Sequence, residues 1–144
     1  MTDQENSSGQ GLRGFVWFGA LLGLAFRVAG MGWYIIIYWY LWLILTAVHV
    51  AANLFALRRA GDRAAQIRPY VIASQILFIA AMLLQIDVGD GPVWMVGAAL
   101  VGIDLDYGRW GDSYDDVVRW NWLVFLPCVV SWAVALRMAT NART

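Results

Sequence analysis

The sequence predicts an all-α integral membrane protein: a four-helix transmembrane bundle with a short re-entrant or interfacial segment in its third, outer loop. Three observations predict it. Hydrophobic residues fill 61% of the 144 positions before the 14 glycines are counted, where soluble domains carry roughly 45–50% with glycine included. Charged residues amount to 14% against a usual share of roughly 25%, too few to clothe a core of this size. Four apolar blocks are long enough, or nearly so, to cross about 30 Å of hydrocarbon at about 1.5 Å per residue.

The chain opens on MTDQENSSGQGL, polar and without the basic region of a signal peptide, so residues 1–12 read as a flexible cytoplasmic tail. A single transmembrane domain follows over 13–138. Its first span covers about 14–31. Arg27 interrupts that block three residues before Gly30, close enough to an end to snorkel to the headgroups. An amphipathic surface helix is the alternative, but Phe15 to Phe26 has no polar face. The second span, 34–57, has no charged residue. The third, 69–86, has Pro69 just inside its start, where proline is tolerated. The fourth, 119–137, carries Pro127 in mid-span, which calls for a kink or for help from a neighbouring helix. Residues 139–144 form a second cytoplasmic tail. Between the third and fourth spans, the outer loop 87–118 holds the apolar run 92–103, too short to cross and interrupted by glycines.

Arginine placement orients the chain. The stretch 58–68 carries four of the ten arginines and should be cytoplasmic, which puts both termini on the cytoplasmic side of a cell's inner (plasma) membrane. Seven arginines then lie inside, and seven of the ten acidic residues lie outside. Lysine is absent and the formal net charge is zero, so the basic footprint of a nucleic-acid binder is missing. The single cysteine, Cys128, sits among apolar neighbours and reads as an inert thiol.

Four groups of residues are candidates for chemistry or assembly. Asp87, Asp90, Asp104 and Asp106 belong to a loop of seven carboxylates, a candidate ligand- or ion-binding surface. Asp104 and Asp106, spaced Asp-x-Asp-x-Gly, leave calcium open, although no bidentate Glu closes the loop. Asp112, Asp115 and Asp116 are better explained as helix-opening acids. Thr46, His49 and Asn53 share one face of the second span by spacing, and Ser74 and Gln75 fall at comparable depth on the third. An interhelical hydrogen-bond cluster is the expected reading; a proton path or ligation of a cofactor by His49 are the alternatives. Tyr34, Tyr38 and Trp42 line one helix face, either part of an interfacial belt or a cage for a cation. Gly19 and Gly23 form a GxxxG motif for close helix packing, within the subunit or against a partner.

No catalytic set, metal-ligand spacing or nucleotide motif is present, and the cofactor complement stays unassigned. The reading that follows is a small, non-catalytic accessory or assembly subunit of a larger membrane complex. Its expected partners are the lipid bilayer and other membrane proteins, or copies of itself. The alternatives are a homo-oligomeric cation channel or transporter with an acidic outer vestibule, and an integral membrane enzyme acting on a lipid.

Overall fold

The computed structural model describes residues 3–29, 33–87, 94–95, 98, 100, 102 and 114–141; within these, 3–9, 29, 33–38, 62, 87, 94 and 114–118 are described by their backbone. Four long helices account for nearly all of it. They are α1 (Asp3–Ala29), α2 (Trp33–Ala60), α3 (Ala64–Leu84) and α4 (Tyr114–Asn141). Each contains a stretch long and apolar enough to cross a membrane: Gln10–Val28, Trp39–Ala60, Ala64–Leu84 and Arg119–Asn141. The chain is thus a multi-pass, all-helical protein by length and composition.

The helix ends differ from the sequence reading in instructive ways. α1 begins at Asp3, so most of the expected tail 1–12 is helical. Once a span has paid for nucleation, each added residue costs little. α2 runs on through Arg58 and Arg59 to Ala60, where two cations face the negative end of the helix dipole. Gly61 then adopts φ +52°, a left-handed conformation that glycine takes without steric cost and that ends helices. Only the 3-10 turn Gly61–Arg63 separates α2 from α3. The expected arginine-rich loop is therefore mostly two helix ends meeting at a tight turn. α3 starts one turn earlier than expected and has Pro69 inside it. The carbonyl that Pro69 leaves without a helical donor belongs to Ala65, which is exposed, as is Pro69 itself, so solvent can satisfy it. α4 continues through Pro127.

The helices stand in a ring. α1 and α4 occupy opposite corners, each packing against both α2 and α3, while α2 and α3 meet more thinly across the diagonal. Two apolar clusters fill the interior. One, near the α2–α3 turn, includes Val16, Ala20, Val50, Leu57, Ile67, Val71 and Ala135. The other gathers Trp42, Phe78, Met82, Phe125, Cys128 and Trp132. Large apolar side chains also cover the outside, among them Trp17, Phe18, Leu21, Trp39, Phe55, Leu123 and Trp122, the last 67% exposed. That distribution suits a protein whose surroundings are hydrocarbon.

α3 ends at Leu84, and the extended backbone of Gln85 leads into β1 (Ile86–Asp87). This strand pairs antiparallel with β2 (Trp94–Met95). The first turns of α4 hold the junction. Trp120 Nε1 donates to the Leu84 carbonyl at 2.8 Å. The Asn121 amide accepts from Ile86 N at 2.8 Å and donates to Ile86 O at 3.0 Å. One side chain thus stands in for a strand edge, satisfying both backbone groups of Ile86. The expected re-entrant segment 92–103 lies largely outside the described residues.

Candidate functional site

Between the two apolar clusters sits a polar layer. His49, Asn53, Ser74 and Gln75 are all buried, with His49 0% exposed. α2 supplies His49 and Asn53 from one face, α3 supplies Ser74 and Gln75, and α4 contributes Trp132 and Cys128. Because helices in hydrocarbon have no water to turn to, such groups must find partners within the bundle.

Most do. Ser74 Oγ lies 2.7 Å from Asn53 Oδ1 and 2.9 Å from the Val71 carbonyl. Asn53 Nδ2 donates to the His49 carbonyl at 2.8 Å. Thr46 turns back on its own helix and donates to the Trp42 carbonyl at 2.7 Å, so it stands outside this network. Trp132 Nε1 donates to His49 Nδ1 at 2.8 Å. Cys128 Sγ sits 3.8 Å from the same ring nitrogen and 3.8 Å from the Ser74 carbonyl. With the indole holding the nitrogen's lone pair, the thiol proton goes to the carbonyl.

Aromatic rings hold the imidazole at one face and at its Nδ1 edge. Phe78 stacks on it with centroids 4.1 Å apart and planes 17° from parallel. Trp132 lies tilted at 5.6 Å. Phe125 meets both Phe78 and Trp132 edge-on, at 6.1 and 6.0 Å. The ring therefore has little room to turn.

Gly19 and Gly23 sit where α1 crosses α3. A β-carbon on Gly19 would collide with the Gln75 side-chain oxygen, and one on Gly23 would lie 2.7–2.9 Å from the Phe78 ring. The glycine pair thus brings α1 close to the polar layer, inside the subunit.

Trp42 belongs to the aromatic face read as part of an interfacial belt or, alternatively, a cage for a cation. It is buried, and the guanidinium of Arg27 lies 4.7 Å from its ring centroid. The ring thus already carries a cation from its own chain. Arg27 itself was expected to snorkel, yet it is 0% exposed. Guanidinium is weakly hydrated and pairs well with an indole face, so it tolerates this position better than an ammonium would. The side chains of Tyr34, Tyr38 and Asp87, and the whole of Asp90, Asp104 and Asp106, lie outside what the structure describes. Among the described residues no group of three or more His, Cys, Asp or Glu side chains is gathered.

Sequence reasoning missed Trp132, Phe78 and Cys128 as members of the site. A signal existed for the first. Trp132 lies 13 residues into the 23-residue span Arg119–Asn141, too deep for an interfacial belt, and a buried indole N–H needs an acceptor. His49 is the sole histidine in the chain and an obvious one.

These features define a multi-pass helical membrane protein whose polar groups converge on one buried histidine. Compared with known protein families, with curated proteins and with solved structures, the chain matches none.

Proposed function

We propose that the chain is a non-catalytic accessory or assembly subunit of a larger membrane complex, seated in the inner (plasma) membrane with both termini in the cytoplasm. One observation carries this reading over a conduit. The polar residues that would line a path, His49, Asn53 and Ser74, are buried in contacts with one another and with Trp132, and Thr46 is bonded to its own helix. A channel or transporter needs such groups turned toward water or an ion. Here they serve as internal glue, the role of a packing unit. The glycine pair is likewise engaged within the subunit, so a partner would meet other surfaces, such as the Trp17–Phe18–Leu21 ridge of α1 or the Trp122–Leu123–Leu126 ridge of α4. The orientation is supported by the arginine excess on the side of the α2–α3 turn.

Isolation of the tagged chain from its native membrane in mild detergent, followed by mass spectrometry, tests the proposal. Stoichiometric co-purification of other membrane proteins is expected. A lone monodisperse species would overturn it. The channel alternative requires cation flux in liposomes that falls with Asp104→Asn, Asp106→Asn and His49→Ala. The lipid-enzyme alternative requires a lipid-modifying activity that is lost when Asp87 or Asp90 is replaced.

A further inference from the structure

The bond between Trp132 and His49 fixes more than a position. An indole N–H donates and never accepts. Trp132 Nε1 lies 2.8 Å from His49 Nδ1, so Nδ1 must present a lone pair. A neutral imidazole with a lone pair on Nδ1 carries its proton on Nε2. His49 is thus held as the Nε2–H tautomer. A charged imidazolium has an N–H at both nitrogens. Nδ1–H would then face the indole N–H across the same 2.8 Å, donor against donor. The bond from α4 and a charge on His49 therefore exclude each other.

The surroundings supply nothing in exchange. On α4, Cys128 Sγ lies 3.8 Å from Nδ1, but a thiol sulfur is a weak acceptor. On α2, the Asn53 amide is spent on the His49 carbonyl and on Ser74. On α3, Phe78 covers one face of the ring, and Ser74 and Gln75 carry no charge. α1 reaches the layer with Gly19 and Gly23. Its buried charge, Arg27, lies over Trp42, two turns or about 10 Å from His49 along α2, and is itself a cation. Among the described residues, no carboxylate is buried. An imidazolium formed here would be a buried charge with no counter-ion among those residues.

Gln75 responds differently. It is the hydrogen-bonding side chain beside the imidazole, in a contact looser than strict hydrogen-bond geometry. With Nδ1 taken by the indole, Nε2–H is the edge left to it, and its carbonyl end is the acceptor. That proton is present in the neutral and the charged ring alike. The tie to α3 thus survives a change of charge that the tie to α4 does not.

We propose that His49 is an acid-sensitive pin: neutral, it fastens α4 to α2 through Trp132; protonated, it releases α4 and keeps its hold on α3. By linkage, the unfolded chain lets His49 take up a proton freely while the native pairing forbids it, so stability falls as the pH falls. No conduction path is needed, because the proton enters when the helices part.

SDS titration of the full chain in mixed micelles, between about pH 8 and about pH 5, tests this over the range in which an unperturbed histidine titrates. The folded-to-unfolded ratio should fall with the pH, by up to about tenfold per pH unit. His49→Gln should remove that fall. Trp132→Phe, which takes away the opposing N–H, should make it shallower. Nitrogen-15 solid-state NMR of the unaltered chain in bilayers reads the same event without a substitution, and the single histidine makes the assignment unambiguous. Near neutral pH the proton should be on Nε2 alone, with the Trp132 indole signal in its bonded position. A proton on Nδ1 near neutral pH would overturn the proposal. So would a charged His49 beside an unmoved Trp132 signal. A fall in stability that is equal in the His49→Gln chain, as steep in the Trp132→Phe chain, or absent from the unaltered chain would overturn it as well.

Discussion

Trp132→Phe keeps most of the volume of the indole but withdraws the proton that His49 Nδ1 accepts. Interhelical hydrogen bonds in membrane proteins average about 0.6 kcal/mol and reach about 1.7. This one joins two groups that the surrounding rings hold in place, so a loss toward the upper end, about 1.5 kcal/mol, is expected in unfolding by SDS in mixed micelles. Asn53→Ala and Ser74→Ala should each cost less and should be non-additive, because both report the same 2.7 Å contact. Trp42→Leu removes the face on which a buried guanidinium rests. It should cost about 2 kcal/mol, the scale of a desolvated cation–π contact, and Trp42→Phe should recover part of it. Cys128 is buried, so a membrane-permeant maleimide should label it only after the bundle is unfolded.

Among the elements, the α1–α3 contact gives a sharp contrast between two glycines. At Gly19 an added methyl would meet the end of the Gln75 side chain, which has torsions to spare. At Gly23 it would lie 2.7–2.9 Å from the Phe78 ring, which is clamped against His49. Gly23→Ala should therefore destabilise by about 1–3 kcal/mol, the range for overpacking, and Gly19→Ala by clearly less. SDS titrations of the two variants side by side decide it; equal costs would show that Phe78 moves aside freely. At the other end of the bundle, Asn121→Ala would strip both backbone partners from Ile86. Faster hydrogen exchange at the Ile86 amide is expected, with little change in α3 itself.

On the scale of the whole molecule, the four spans were legible in the sequence because continuous apolar runs report membrane crossing directly. The pairing of α2 with α3 was legible in part: Asn53 and Ser74 were placed at comparable depth, and they do meet. The contributions of α4 were not. An apolar helix gives no periodic signal of which face turns inward, so Trp132 and Phe125 looked the same as the exposed Trp122. The fate of Arg27 was hidden for a related reason. Distance from a helix end favoured the headgroups, and only the packed bundle brings Trp42 under it. Orientation is a whole-molecule property with its own test. With Cys128→Ser as background, R63C should react with a membrane-impermeant maleimide only when the cytoplasmic side is opened.

The three-residue turn between α2 and α3 has a mechanical consequence. Two long rods joined by so short a tether, with Gly61 at φ +52° as its pivot, have no slack for sliding. Piston-like displacement of one along the other would tear the turn apart, and rotation of either about its own axis would wind it up. The α2–α3 hairpin is therefore the fixed frame of the molecule. Any large movement that this protein makes must therefore leave the register of α2 against α3 intact.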